Sequence, residues 1–174
     1  MVKLAFGYKR RVGKDTSCDY LIEKYGGVKL SFAEPLYKIL NFAQEECNFE
    51  KTKDRKFLQF LGTEWARTIN DNVWVNLLVK RIKELPALSN IFVSDLRFQN
   101  EFKVLKEHGF ICIHLKNLSL DQPTKVEQLA KDGYSEHQSD VDLDNYDGWD
   151  YTIENFGSKE NLYSVLNNLY CKCN

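Results

Sequence analysis

Residues 7 to 16 read Gly-Tyr-Lys-Arg-Arg-Val-Gly-Lys-Asp-Thr, a loop bounded by Gly7 and Gly13 that carries Lys9, Arg10 and Arg11 and ends in Gly13-Lys14. The apolar run Leu4-Ala5-Phe6 precedes it, and an amphipathic segment from Ser17 through Leu21 and Ile22 follows. A strand, a glycine-bounded basic loop and a helix turn backbone N–H groups toward a phosphate chain, and the lysine adds a fixed positive charge to it. The segment reads as a phosphate-binding loop. Five residues separate the two glycines where four are usual, and Asp15 stands directly after Lys14, so the hydroxyl arrives at Thr16. A Gly-Lys-x-Thr ending also occurs in small nucleotide kinases of the adenylate-kinase type, which points away from GTPases and motor ATPases.

A second chemical pair stands at the end of the apolar run Ile91-Phe92-Val93-Ser94. Asp95 is placed to organise Mg²⁺ or its waters, as a carboxylate at a strand end does in phosphate-loop enzymes. Arg97, two residues on, can fork onto a phosphate and stabilise charge spreading over a transferring group.

These residues need a scaffold that brings strand ends together, and the chain has its pattern. Strands at 4–6, 28–32, 90–94, 110–115 and 151–154 alternate with helices from about 17, at 36–46, 72–85, 101–108 and 159–169. Alternation of this kind predicts an α/β fold of three layers, a central parallel sheet with helices on both faces, and ligands at the strand ends. Residues 117–149 are polar, contain Pro123 and Gly133 and lack a core pattern, so they read as a lid excursion. The expectation is one domain over 1–174.

Composition narrows the class. A formal net charge of −1 argues against a general nucleic-acid or anionic-membrane surface, so positive charge should be local. The apolar runs are far shorter than a membrane span, and the chain opens directly into a strand without a signal-peptide pattern. Cys18, Cys47, Cys112, Cys171 and Cys173 form no C-x-x-C pair, which suits reduced thiols in a cytoplasmic protein.

Beyond the loop, five further blocks carry a resemblance. They are Ser31-Phe32-Ala33-Glu34-Pro35-Leu36, the run Leu58 to Arg67 containing Leu61-Gly62-Thr63, Trp74-Val75, Ser94-Asp95-Leu96-Arg97-Phe98-Gln99-Asn100-Glu101, and Asp150 to Ser158. Together the chain resembles the deoxynucleoside monophosphate kinases of tailed bacteriophages and related viruses over nearly its whole length. That resemblance implies a phosphate-loop NTPase fold and transfer of the γ-phosphate of ATP to a 5′-deoxynucleotide, with Mg²⁺ as cofactor. ATP and a deoxynucleoside monophosphate are the implied partners, with neither nucleic acid nor membrane, and a homodimer is compatible with the family.

Carried over by residue, the resemblance places Gly7, Val12, Gly13, Lys14, Asp15, Thr16 and Asn155 at ATP, with Thr16 and Asp95 at the metal. Phe32, Gln59, Arg67, Trp74, Arg97 and His137 become the acceptor pocket: aromatic rings to stack on a base, Gln59 to read its edge, Arg67 to hold the 5′-phosphate. Many relatives have His-x-Ser-Glu in the lid, where this chain has His137-Gln138-Ser139-Asp140. No arginine follows Arg97, so Lys116, Lys125, Lys131 and His137 are the lid's basic candidates. Transition-state charge is therefore assigned to Arg10 or Arg11, making Lys14, Asp95, Arg97, Arg10 and Arg11 the catalytic set. Two alternatives stay open: a dephospho-coenzyme A kinase-like activity, and a nucleotide-binding module without turnover.

Overall fold

The computed structural model describes residues 1–7, 9–117, 137–155 and 158–173. Tyr8, most of the expected lid with Lys125 and Lys131, and Phe156-Gly157 lie outside them. The chain divides into two compact units, one of residues 1–30 and 86–174 and the other of residues 31–85.

The first unit holds a five-stranded sheet: β1 (Lys3–Gly7), β2 (Val28–Leu30), β3 (Ile91–Leu96), β4 (Ile111–Asn117) and β5 (Tyr151–Asn155), in the order β2-β3-β1-β4-β5. Every pairing is parallel, with Leu4 opposite both Phe92 and Ile111. The central strands β1 and β3 are mostly apolar because the middle of a covered parallel sheet is buried on both faces, and Leu4, Ala5, Phe6, Phe92 and Val93 are fully buried. The strand order reverses beside β1. The loops leaving β1 and β3 therefore diverge, which opens the crevice in which ligands bind on such sheets.

Helices α1 (Lys14–Tyr25), α6 (Gln99–Glu107) and α8 (Lys159–Cys173) pack against this sheet, where α2 to α5 belong to the second unit. Helix α1 begins three residues earlier than its apolar pattern suggests. Gly13 at φ 105° turns the chain abruptly, so Lys14 is already helical. Helix α8 runs to Cys173 because Leu162, Leu166, Leu169 and Tyr170 extend one buried face. Two stacked tyrosine pairs join α1 to α8: Tyr20 on Tyr163 with centroids 3.9 Å apart, and Tyr25 on Tyr170 at 3.7 Å. Asn167 Oδ1 accepts from both Tyr20 and Tyr25, at 2.9 and 3.0 Å. This double clamp fixes the helix that carries Lys14.

The described end of the expected lid is docked on this unit. A short helix α7 (Gln138–Val141) leads to Leu143, which is buried, and to Trp149. The Trp149 ring stands edge-on to Phe102 and stacks over His114. Asp150 accepts from the Cys112 N–H at 2.7 Å.

The second unit contains α2 (Glu34–Glu46), α3 (Arg55–Gln59), a π-helical turn (Phe60–Trp65), α4 (Ala66–Ile69) and α5 (Val73–Glu84). Pro35 sits in the first turn of α2, where a missing N–H costs nothing. Asp54 caps α3 by accepting from the Phe57 N–H at 2.9 Å. The buried Trp74 donates its indole N–H to the Gly62 carbonyl inside the π turn at 2.8 Å. Gly62 admits Leu36 so closely that a Cβ there would lie 2.8 Å from Leu36 Cδ2. Among the described residues no helix is long and apolar enough to cross a membrane.

Candidate functional site

The loop between β1 and α1 is built from unusual backbone. Arg11 at φ 58° and Gly13 at φ 105° both lie in the left-handed region, which turns successive N–H groups toward one side and suits an anion. Arg11 has a Cβ and bears a steric cost there, of the kind that collects at functional loops. At Gly13 a side chain is strained by φ, and an added Cβ would press on Asn155 Nδ2 at 3.0 Å. The Asn155 amide donates to the Val12 carbonyl at 3.0 Å, so β5 holds the loop in this shape.

At Gly7 the backbone meets an aromatic ring. A Cβ on it would sit 2.3 Å from Trp149 Cη2, so the glycine is needed for an aromatic ring packed against the backbone.

Lys14 is 7% exposed and donates its ammonium to the Lys9 carbonyl within the loop. Burial, and next the positive charge of Arg97, lower its pKa to about 8, against the opposing pull of Asp95, Asp15 and Asp140. Those five side chains are thus electrostatic neighbours. Asp15 bonds to Lys29 at 3.1 Å and to Ser94. Burial would push its carboxyl up, but these bonds and the Lys29 and Lys14 charges outweigh it and leave the group below its ordinary value. Asp95 lies within β3 rather than after it, one residue before Leu96 and on the sheet's crevice end.

The two loop arginines are separated. Arg10 turns inward and donates Nε to Asp140 Oδ1 at 2.8 Å and its terminal nitrogen to Asp140 Oδ2. Arg97 reaches the same carboxylate, its terminal nitrogen 3.0 Å from Oδ1. Arg11 instead is exposed and lines a cleft of about 230 Å³ with Gly13, Thr16, Asn155, Ser158 and Lys159. Thr16 thus faces the same cleft as Asn155.

Of the acceptor candidates, Arg97 and His137 belong to the first unit. His137 Nδ1 accepts from the Ser139 N–H at 3.2 Å and caps α7. Phe32, Gln59, Arg67 and Trp74 all belong to the second unit. Phe32 and Trp74 are buried, and Gln59 is half-buried. The Arg67 side chain is 7% exposed and donates to the Asp71 carbonyl at 2.8 Å.

Sequence analysis did not single out Asp140, Lys9, Ser94 or Trp149. Asp140 had a visible signal, as the acid of the His-Gln-Ser-Asp block. Trp149 had none, because contact with Gly7 depends on how residues far apart in the chain fold together.

No protein-family model matches the chain. It is 31% identical over 147 residues to the uncharacterized protein ORF77 of Ictalurid herpesvirus 1 (strain Auburn), an alignment covering 82% of this chain and 59% of that one. It is 28% identical over 181 residues to a protein of Acanthamoeba polyphaga mimivirus provisionally named a deoxynucleotide monophosphate kinase, covering 88% of each. The chain is thus similar, over most of its length, to a viral protein of the nucleotide-kinase type. It spans about three fifths of the herpesvirus relative's length and most of the mimivirus one. The fold agrees with that placement. A protein of Chloroflexus aurantiacus provisionally named a kinase superposes with a TM-score of 0.55 at 12% identity, covering 99% of this chain and 97% of that one. The dephospho-CoA kinase of Campylobacter jejuni superposes with 0.51 at 17%, covering 98% and 97%. At these identities the likeness concerns the fold, and it matches the phosphate-loop architecture expected from the sequence.

Proposed function

We propose that this kinase-like protein transfers the γ-phosphate of ATP to the 5′-phosphate of a deoxynucleoside monophosphate, giving ADP and the deoxynucleoside diphosphate. The observation that carries the proposal is the meeting of Arg10 from the loop and Arg97 from the end of β3 on one carboxylate, Asp140, with Arg97 and Asp140 both acting on the charge of the buried Lys14. Phosphoryl transfer needs little from a protein beyond such fixed charge and correct positioning.

In this reading the N–H groups from Val12 to Thr16 wrap the phosphates, and ATP displaces the Lys9 carbonyl from the Lys14 ammonium. The purine lies at the Asn155 side of the cleft, with Thr16 toward the phosphates and Arg11 and Lys159 at its rim. Arg10 and Arg97 meet the charge that spreads over the moving group. Phe32, Gln59, Arg67 and Trp74 of the second unit are the residues this reading gives to the acceptor. Arg67, already held by the Asp71 carbonyl, is prepared for its 5′-phosphate with little entropy left to lose.

Mg²⁺ fits as an ion that arrives with the nucleotide. The Asp95 carboxylate and the Thr16 hydroxyl are hard oxygen donors of the kind Mg²⁺ takes. They would hold it, and it would neutralise charge on the β- and γ-phosphates. The partners are then ATP and a deoxynucleotide, with a homodimer compatible and the host cytoplasm as the place of action.

An ADP-release assay across dAMP, dCMP, dGMP, dTMP and dephospho-coenzyme A tests the acceptor. Turnover with a deoxynucleotide and none with dephospho-coenzyme A is the expected outcome, and the reverse would refute it.

A further inference from the structure

Asp140 links the two arginines that the proposed chemistry depends on. Its Oδ1 accepts from Arg10 Nε at 2.8 Å and from Arg97 at 3.0 Å, and its Oδ2 accepts from Arg10 as well. Its carbonyl accepts from Lys9 at 2.8 Å, and Lys9 pairs with Asp144 at 2.5 Å. The side chains are only 17% exposed for Asp140, 25% for Arg10 and 26% for Arg97. An exposed ion pair would be screened to near nothing, but a carboxylate shared by two sheltered guanidiniums keeps its force.

The backbone that carries Asp140 is itself held. Asp142 accepts from the Gln99 N–H at 2.8 Å, its carbonyl accepts from Gln99 Nε2 at 3.0 Å, and Leu143 is buried. Helix α6 and β3 thus fix Asp140 relative to Arg97, and Asp140 fixes Arg10 relative to both.

Resting on the kinase reading above, we propose that Asp140 is a positioning residue for phosphoryl transfer: it holds the guanidiniums of Arg10 and Arg97 side by side and selects which edge of each faces the moving phosphate. Two bare guanidiniums repel each other, and one carboxylate between them lets both point at one place before the nucleotide binds. Asp140 occupies one edge of Arg10, through Nε and a terminal nitrogen. It takes a single terminal nitrogen of Arg97, which leaves the Nε side of that fork for an incoming oxygen. It touches neither reacting atom.

The test compares the parent with Asp140→Asn and Asp140→Glu, each alone and in an Arg10→Met/Arg97→Met background, following kcat, the KM for ATP and the melting temperature. Asp140→Asn should lower kcat by at least about tenfold with the KM for ATP changed by less than about threefold, since orientation at the transition state is what is lost. Glutamate should restore part of kcat. In the double-arginine background Asp140→Asn should cost nothing further, because its action runs through those two groups.

Parental kcat in Asp140→Asn overturns the proposal, as does faster turnover with tighter ATP binding, which would make the carboxylate a competitor of phosphate. Failure of Asp140→Asn to fold also overturns it, by making the residue structural. If the parent transfers no phosphate to any acceptor, the kinase reading falls and this inference with it. An active parent with an indifferent Asp140 overturns the inference alone.

Discussion

Asn155, the last residue of β5, donates its amide to the carbonyl of Val12 at 3.0 Å, across 143 positions of sequence. That bond ties the end of the sheet to the residue before Gly13 and sets the wall of the cleft that Thr16 and Arg11 share. Replacing Asn155 by alanine should raise the KM for ATP by roughly three- to tenfold, with a stability loss of about 1 kcal/mol for one hydrogen bond. Steady-state kinetics with ATP varied decides it, and an unchanged KM would remove Asn155 from the nucleotide site.

Lys14 should make ATP binding depend on pH. Its pKa, lowered to about 8 by burial and by Arg97, means that the nucleotide-free protein loses this proton above that pH, and the bound phosphates must restore it. ATP affinity should therefore fall as pH rises from 8 to 9.5. For stability the sign is opposite: between about 8 and the ordinary value of 10.5 the unfolded chain holds the extra proton, so the nucleotide-free fold gains stability with rising pH. Calorimetric titration with ATP at pH 8.5 in two buffers of different ionisation enthalpy should show proton uptake in the parent and none in Lys14→Met. Lys14→Ala should lose at least roughly a hundredfold in kcat.

Arg10 and Arg11 should behave differently despite being neighbours. Arg10 is turned inward toward Arg97, so Arg10→Met should depress kcat strongly and leave the KM for ATP nearly unchanged. Arg11 is exposed at the cleft, so Arg11→Met should chiefly raise that KM, and less so at high salt. Kinetics at two ionic strengths separates these outcomes; equal effects of the two replacements would dissolve the distinction.

Gly7 should prove a packing residue. Gly7→Ala drives a methyl group toward Trp149 at 2.3 Å, for a loss of about 1–3 kcal/mol, or several degrees in Tm for a chain of this length. Trp149→Ala, costly by itself, should make the added loss from Gly7→Ala small. Additive losses in the double variant would place the strain elsewhere.

The middle of the sheet was legible because β1 and β3 are buried on both faces: Leu4-Ala5-Phe6 and Ile91-Phe92-Val93 announce themselves without any long-range knowledge. The strand, loop and helix of residues 3–25 were legible because Gly7 and Gly13 bound a polar stretch between two apolar segments. Two boundaries were not. The start of α1 moved to Lys14 because Gly13 alone makes the turn, and Asp95 fell inside β3 because strand pairing to β1 continues past the apolar run. The helical run from Arg55 to Ile69 was missed as a helix, since its π turn breaks the 3.6-residue apolar period around Gly62. Charge relocation to the loop could be argued from the absence of later arginines, but the choice between Arg10 and Arg11 could not. Only the fold brings Asp140 to one of them.

The most direct test follows the γ-phosphate itself. With ATP labelled at the γ position, Mg²⁺ and an equimolar mixture of the four deoxynucleoside monophosphates, products are separated and the label located, for the parent, Lys14→Ala and Asp95→Asn. The expected result is label in one or more deoxynucleoside diphosphates with the parent, and little in either variant although both keep the parental melting temperature within a few degrees. Label found only in inorganic phosphate, or remaining in ATP with the folded parent, would contradict the assignment of this chain as a deoxynucleotide kinase.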